Sequence, residues 1–292
     1  MKQRRVTAGV LDVGYLEAGD PDGPPVILLH GFPYDVHAFT DVAGLLPGHR
    51  VLMPWLRGYG PTCFLSDATP RSGQQAVLAQ DLVDFMDALA IPRAVLGGYD
   101  WGGRAACIVA ALWPERVVGL VTGGGYNIQD IAAAARPAPP ENEYRHWYQY
   151  YLHGERGRAG LTQNRDAFCR LLWRLWSPEW AFGDATYAET AASFANPDFV
   201  AVVVHSYRHR YGLVPGDPAV EAIEARLARR PVIGVPTISL EGGADGVSAP
   251  GGTAAGDPRF GDLRACHVLP GIGHNLPQEA PAAFAAAIRA LG

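Results

Sequence analysis

No stretch of this 292-residue chain is apolar for long. Runs such as Phe199 to Val204 fall far short of the roughly 20 residues that carry a helix across a bilayer, so a membrane-spanning helix is excluded. Cysteine is scarce: Cys63, Cys107, Cys169 and Cys266 stand far apart and form no Cys-x-x-Cys pair. That spacing supports neither a zinc site nor a redox dithiol, so no metal is expected, and a reducing, cytoplasmic setting is. Basic clusters are missing too. The 24 Lys and Arg are outnumbered by 29 Asp and Glu, for a net charge of -5, and nowhere do they gather on the scale that nucleic acid or an anionic membrane surface requires. Met1-Lys2-Gln3-Arg4-Arg5 is basic, but Val6 to Gly9 and then Glu17 and Asp20 follow, where a signal peptide would carry its apolar segment. What is present is a globular composition, 48% hydrophobic, suited to a small-molecule substrate rather than a macromolecular partner. A monomer or a homodimer is expected.

Short aliphatic runs alternate with turns and helical patterns through the first third. Val26-Ile27-Leu28-Leu29 precedes His30-Gly31-Phe32-Pro33, and Arg50-Val51-Leu52-Met53 precedes Arg57-Gly58-Tyr59-Gly60. A helix over roughly Gln74 to Leu89 leads into a strand at Arg93 to Gly97, and another strand spans Val117 to Thr122. Strands alternating with helices imply an α/β protein with a mostly parallel sheet covered on both faces. From Asp130 to about Arg229 strand signals are few, and most of the large aromatics collect there, including Trp147, Tyr148, Tyr150, Tyr151, Trp173, Trp176, Trp180 and Tyr207. Sheet character returns at Pro236 to Leu240 and at Cys266 to Leu269, with a Gly-rich loop, Gly242 to Gly261, between them. The expected division is a core formed by 1–129 and 230–292, with a helical cap inserted at 130–229.

Gly98-Tyr99-Asp100-Trp101-Gly102 joins the strand at 93–97 to a helix expected over Arg104 to Leu112. Glycines on both sides permit a sharp turn and close packing, and leave the central side chain at the carboxyl end of the strand, where a turn-mounted nucleophile stands. That side chain is a carboxylate, ionised at neutral pH because its ordinary pKa is about 4, so it needs no base in order to attack. A carboxylate is a poor nucleophile toward peptides and ordinary esters, but it displaces leaving groups from saturated carbon, an epoxide oxygen or a halide among them. A base is then available for a second step. His274, in Gly271-Ile272-Gly273-His274-Asn275 between the last strand and a helix beginning near Pro277, suits the task of drawing a proton from water that attacks the resulting ester. Asp245, in Glu241-Gly242-Gly243-Ala244-Asp245-Gly246, is the acid expected to hold the imidazole tautomer. Asp130 is the second choice for that acid, and Glu241 also competes. The N–H groups of Phe32 and Trp101 are candidates for an oxyanion hole, and His30 of the same loop is a candidate pocket residue.

The order Asp100, Asp245, His274, with His30-Gly31-Phe32-Pro33, Gly98 to Gly103 and Gly273-His274 around a helical cap, resembles the epoxide hydrolase and haloalkane dehalogenase branch of the α/β-hydrolase superfamily, and the epoxide hydrolases most closely. The resemblance runs over nearly the whole chain. It implies an α/β-hydrolase fold, no cofactor, and a vicinal diol product released from an aspartyl ester. It further implies that two cap tyrosines protonate the departing alkoxide. Tyr148 in Tyr148-Gln149-Tyr150-Tyr151 and Tyr207 in Ser206-Tyr207-Arg208 stand in similar contexts; Tyr150, Tyr151 and Tyr211 are alternatives, and Tyr151 is counted with the pocket.

A haloacid or haloalkane dehalogenase is the alternative. His146-Trp147 with Tyr207 is similar to the halide cradle of fluoroacetate dehalogenases, and Arg104 to one of their carboxylate-binding arginines. Against this, Trp101 stands where those enzymes usually carry a second arginine, Gly123 to Gly125 supply no acid, and Phe32 replaces the asparagine common in haloalkane dehalogenases. A slow, ligand-binding homologue is a third reading. Trp55, where many relatives have an aspartate, is expected to alter packing rather than chemistry, and the three glycines at 123–125 to leave the pocket with little side-chain bulk there.

Overall fold

The computed structural model describes residues 1–248 and 254–292; part of the Gly-rich loop expected over Gly242 to Gly261 therefore lies outside the described residues. The chain opens with an antiparallel pair, β1 (Lys2–Ala8) and β2 (Leu11–Gly19), in register through Val6 and Val13. Neither strand was expected from the sequence. β1 is an edge strand with Lys2, Arg4 and Arg5 in solvent, so it buries too little to show an alternating apolar pattern, and its charges blunt the edge.

The next elements alternate as the sequence implied: β3 (Pro25–Leu29), α1 (Thr40–Gly44), β4 (Arg50–Pro54), the short β5 (Cys63–Phe64), α2 (Gln75–Ala88), β6 (Ala94–Tyr99), α3 (Asp100–Leu112) and β7 (Val117–Gly123). Among the described residues no strand then occurs until β8 (Thr237–Gly242). Between them lie α4 (Pro140–Arg145), α5 (Trp147–Tyr151), α6 (Glu155–Gln163), α7 (Arg165–Trp176), α8 (Asp184–Ala191), α9 (Phe199–Arg210) and α10 (Glu221–Leu227), and β9 (Leu263–Leu269), α11 (Leu276–Glu279) and α12 (Pro281–Leu291) close the chain.

The sheet runs β1-β2-β4-β3-β6-β7-β8-β9, with β5 beside β2. Every pair from β4 to β9 is parallel. Parallel strands covered on both faces read as continuous apolar runs, and all six residues of β6 are buried. Two adjacent glycines of β6 show what covers each face. A Cβ on Gly97 would press on Leu28, Phe284 and Ile288, whereas one on Gly98 would press on the backbone of Gly102 and Gly103. Successive strand residues point to opposite faces, so α12 packs on one face and α3 on the other.

The helical stretch between β7 and β8 rests on the carboxyl ends of the strands. α7 buries Phe168, Cys169, Leu172, Trp173 and Trp176 along one face, and the Trp173 indole N–H donates to the Pro33 carbonyl at 2.7 Å. Among the described residues no helix is long and apolar enough to cross a membrane.

Candidate active site

Helix α3 begins at Asp100 itself, four residues before its apolar pattern does. Tyr99 is extended, with φ -140° and ψ 162°, and Asp100 sits at φ 51°, a left-handed conformation that costs a non-glycine residue energy and recurs at functional turns. The sequence reading gave the sharp turn to the flanking glycines, but it falls on Asp100, and the glycines permit close approach instead. A Cβ on Gly102 would lie 2.0 Å from the Leu29 carbonyl oxygen, and one on Gly31 would lie 2.3 Å from Asp100 Oδ1.

With Gly31 bare, the next peptide reaches the carboxylate, and the Phe32 N–H donates to Asp100 Oδ1 at 2.8 Å. Trp101, in the first turn of α3, brings a buried ring that stacks on Phe32 at 5.8 Å. Asp100 Oδ2 faces His274 Nε2 at 3.6 Å, beyond hydrogen-bond length. His274 Nδ1 lies 2.9 Å from Asp245 Oδ2, and Asp245 Oδ1 accepts from the N–H groups of Val247 (2.7 Å) and Ser248 (3.1 Å). The Asp245 carboxylate thus fixes the proton on Nδ1 and leaves Nε2 toward Asp100. The competing acids are held by other groups: Asp130, exposed at the border of the cavity that Asp100 and His274 line, accepts from the Ala133 N–H, and Glu241 accepts from the Ala254 N–H.

The loops that carry Asp245 and His274 are both braced by one end of α7. The Trp176 carbonyl accepts from the N–H groups of Gly246 (3.0 Å) and His274 (3.1 Å), and the Ser177 hydroxyl oxygen also accepts from the His274 N–H, at 3.1 Å. Ser177 donates to Glu279 at 2.7 Å, and Glu279 takes the N–H groups of Gly273 (2.7 Å) and Asn275 (3.0 Å).

Burial works against every charge in this group, and the pairing decides which survive. Burial alone would lower the basicity of His274, but Asp245 and Asp100 together raise its pKa to about 10. Burial would raise Asp100, but His274, the Arg104 charge and the Phe32 N–H hold it below the ordinary aspartate value. The free site therefore holds an aspartate anion opposite an imidazolium.

Asp100, His274, Tyr148, His146 and Arg104 border one cavity of about 710 Å³. Tyr148 is buried, and its ring meets that of Tyr207 edge-on at 5.4 Å. Tyr207 packs between Phe32 and Trp101, and burial lifts both phenols above the ordinary tyrosine range. Gln149 Nε2 donates to the Tyr148 hydroxyl at 2.9 Å. Arg104 is 5% exposed, and its Nε has no hydrogen-bond partner among the described residues. Burial, then the Arg210 charge, lower its pKa to about 10. Gly123 and Gly124 line the cavity too, as expected of a wall with little bulk.

Tyr207, packed behind Tyr148, does not border this cavity, and neither do three residues expected to line the pocket. His30 is fully buried, with Nδ1 on the Gly31 carbonyl (3.1 Å) and Nε2 accepting from the Leu56 N–H (3.1 Å), and burial lowers its pKa to about 4. It ties two loops together as a neutral imidazole. Trp147 packs against Tyr148, Tyr151 and Phe168, and Tyr151 stacks on Phe168. His146 does line the cavity, so His146 and Trp147 do not surround one space.

Gln149, Arg210, Gln129, Ser177 and Glu279 escaped the sequence reading. For Arg210 a signal existed, because it lies three residues after Tyr207 in α9 and so shares its face. The others carry no such mark.

A family model described as the alpha/beta hydrolase fold matches residues 24–280. A solved structure of a candidate epoxide hydrolase from Klebsiella pneumoniae is 46% identical, with a TM-score of 0.96 over 99% of this chain and 97% of that one. Epoxide hydrolase 4 of Mus musculus is 32% identical over 118 residues, 40% of this chain and 32% of the relative. Epoxide hydrolase 3 of Siraitia grosvenorii is 39% identical over 101 residues, 34% and 31% of the two chains. The matched stretches span about a third of the length of these curated relatives.

Proposed function

This chain belongs to the α/β-hydrolase fold family, and from that premise we propose that it hydrolyses epoxides to vicinal diols through an ester on Asp100, beneath a cap formed by residues 130–229. Asp100 Oδ2 attacks an oxirane carbon, the carbon–oxygen bond opens, and the departing alkoxide takes a proton from Tyr148 or Tyr207. Oδ1, already on the Phe32 N–H, becomes the carbonyl oxygen of the ester. His274, oriented by Asp245, removes a proton from water as it attacks the ester carbon, and the Phe32 N–H carries the resulting oxyanion. The proton that His274 holds at rest passes to the phenolate before this step, so the imidazole is free to act as base; collapse then expels the product oxygen, which takes the proton of the newly formed carboxylic acid, and the diol leaves with the carboxylate restored.

The observation that carries this reading is a phenol, Tyr148, on the wall of the cavity that holds Asp100 and His274. An alkoxide needs a proton in order to leave, and a halide does not. The test is turnover of alkyl and aryl epoxides in oxygen-18 water. Diol formation with label entering Asp100 after several turnovers is expected, and an unlabelled Asp100 overturns the covalent route.

One observation favours a second reading. Arg104 is a buried guanidinium on the cavity wall with no carboxylate ion pair among the described residues, which suits the carboxylate of a haloacid. Halide release from haloacetates and haloalkanes, measured beside diol formation, separates the two.

A further inference from the structure

Resting on the reading of Tyr148 as an acid of ring opening, we infer that Gln149 and Arg210 are positioning residues that fix the direction of the Tyr148 hydroxyl proton. A phenol hydroxyl both donates and accepts, and its neighbours decide which of these it offers to a ligand. Here the neighbours are an amide, the side chain of Gln149, 2.9 Å away, and the Tyr207 phenol, whose hydrogen bond also favours the Tyr148 oxygen as acceptor. If that amide presented its oxygen, the phenol proton would be spent on it. If it presents its nitrogen, the phenol oxygen accepts and its proton is free for an acceptor in the cavity that Tyr148 shares with Asp100.

Arg210 decides between the two. A guanidinium carries donors only. Arg210 Nη1 donates to Gln149 Oε1 at 3.0 Å, and the Tyr211 hydroxyl donates to the same oxygen at 3.1 Å. Turning the Gln149 amide over would set its NH₂ against the Arg210 donors, so the nitrogen must face Tyr148. Arg210 is itself held on its far side by Gln129, whose amide oxygen, turned toward the guanidinium, accepts from Nε and Nη2. Both partners are neutral amides, so no carboxylate ion pair cancels the charge of Arg210 among the described residues. That charge favours the phenolate left behind by proton transfer, opposing the effect of burial on Tyr148. The order of command runs from Gln129 to Arg210, to Gln149, to Tyr148; all four border the cavity, and the phenol is the one that gives up a proton.

Three substitutions test this. Gln149→Glu keeps the shape but puts an accepting oxygen against the phenol, Arg210→Gln removes the donor-only neighbour, and Arg210→Lys retains a donor-only cation. In single turnovers, ring opening is expected to slow by about tenfold or more in Gln149→Glu and less in Arg210→Gln. Breakdown of the Asp100 ester should keep its rate, and Arg210→Lys should recover most of the ring-opening rate. A second readout needs no turnover. With a fluorinated tyrosine at position 148, its phenol pKa, followed by fluorine NMR, should rise by on the order of one unit in Gln149→Glu and Arg210→Gln, and hold in Arg210→Lys. An unmoved phenol pKa in the first two variants, or equal slowing of both half-reactions, overturns the inference. A moved pKa with no diol from any epoxide supports the proton-directing chain and removes the proposed reaction instead.

Discussion

At the scale of single residues, the proposed chemistry turns on the two charges 3.6 Å apart, Asp100 and His274. Asp100→Asn removes the proposed nucleophile, and a loss of activity on the order of 10⁴-fold or more is expected. His274→Gln leaves attack possible but deprives the attacking water of its base, so intact-protein mass spectrometry should find the ester accumulating on Asp100. The same pair makes stability depend on pH. Because the folded state raises His274 from 6.5 to about 10, its contribution is fully present below about pH 6.5 and is lost as pH climbs toward 10. Tm should fall across that window, and Asp245→Asn should flatten the fall, because Asp245 is the largest of the influences that raise His274. Ester formation also removes the Asp100 charge, so His274 should titrate lower in the alkyl-enzyme than in the free enzyme. The pH profile of ester decay, set against an NMR titration of the resting protein, measures the difference. On the proposed route, the base that is protonated at rest is thus expected to be neutral at the step that needs it.

At the scale of elements, the strand–turn–helix around Asp100 was legible because it is local: β6, its glycines and α3 follow one another in sequence. His274 and Asp245 were legible for a similar reason, each lying on a glycine-rich loop just past a strand. What holds those two loops together was not, because the brace is the C-terminal end of α7, about seventy and one hundred positions away in sequence, and its contacts to Gly246 and His274 pass largely through the backbone carbonyl of Trp176. Ser177 carries the one side chain in that brace that a substitution can address. Ser177→Ala removes an acceptor from the His274 N–H and a donor from Glu279, which should cost about 1 kcal/mol of stability. If the brace positions His274, ester breakdown should slow more than ring opening does, because only the second step uses the imidazole as a base. Single-turnover kinetics beside a denaturation curve would read both effects.

At the scale of the whole molecule, the helical stretch between β7 and β8 has to stay seated over the strand ends for Tyr148 and Asp100 to border the same cavity. Part of that seating is a buried carboxylate. Asp35, fully buried after β3, accepts from the Thr190 hydroxyl (3.1 Å), the Ser193 hydroxyl and the Trp55 indole N–H (3.2 Å). Trp55 also donates to Ser193 at 3.0 Å. Trp55 therefore does more than the local packing expected of it, since its indole N–H meets both a core carboxylate and a hydroxyl of the helical stretch. Asp35 also accepts from the nearby His37 N–H at 3.0 Å and faces the His37 Nδ1 at 2.9 Å, but its partners in the helical stretch lie near position 190, where only the folded chain brings them to it. Replacing it with alanine takes the acceptor from the buried Thr190 and Ser193 hydroxyls and the partner from the His37 ring, a loss of about 3 kcal/mol, which in a domain of this size lowers Tm by roughly 5–10 °C. Ser193→Ala removes one partner and should cost about 1 kcal/mol. If Asp35 holds the helical stretch in place, limited proteolysis of Asp35→Ala should cut first between residues 124 and 236, at temperatures where the sheet is still folded. Cleavage spread evenly along the chain would mean that the carboxylate stabilises the molecule as one unit, with no separate seating of the helices.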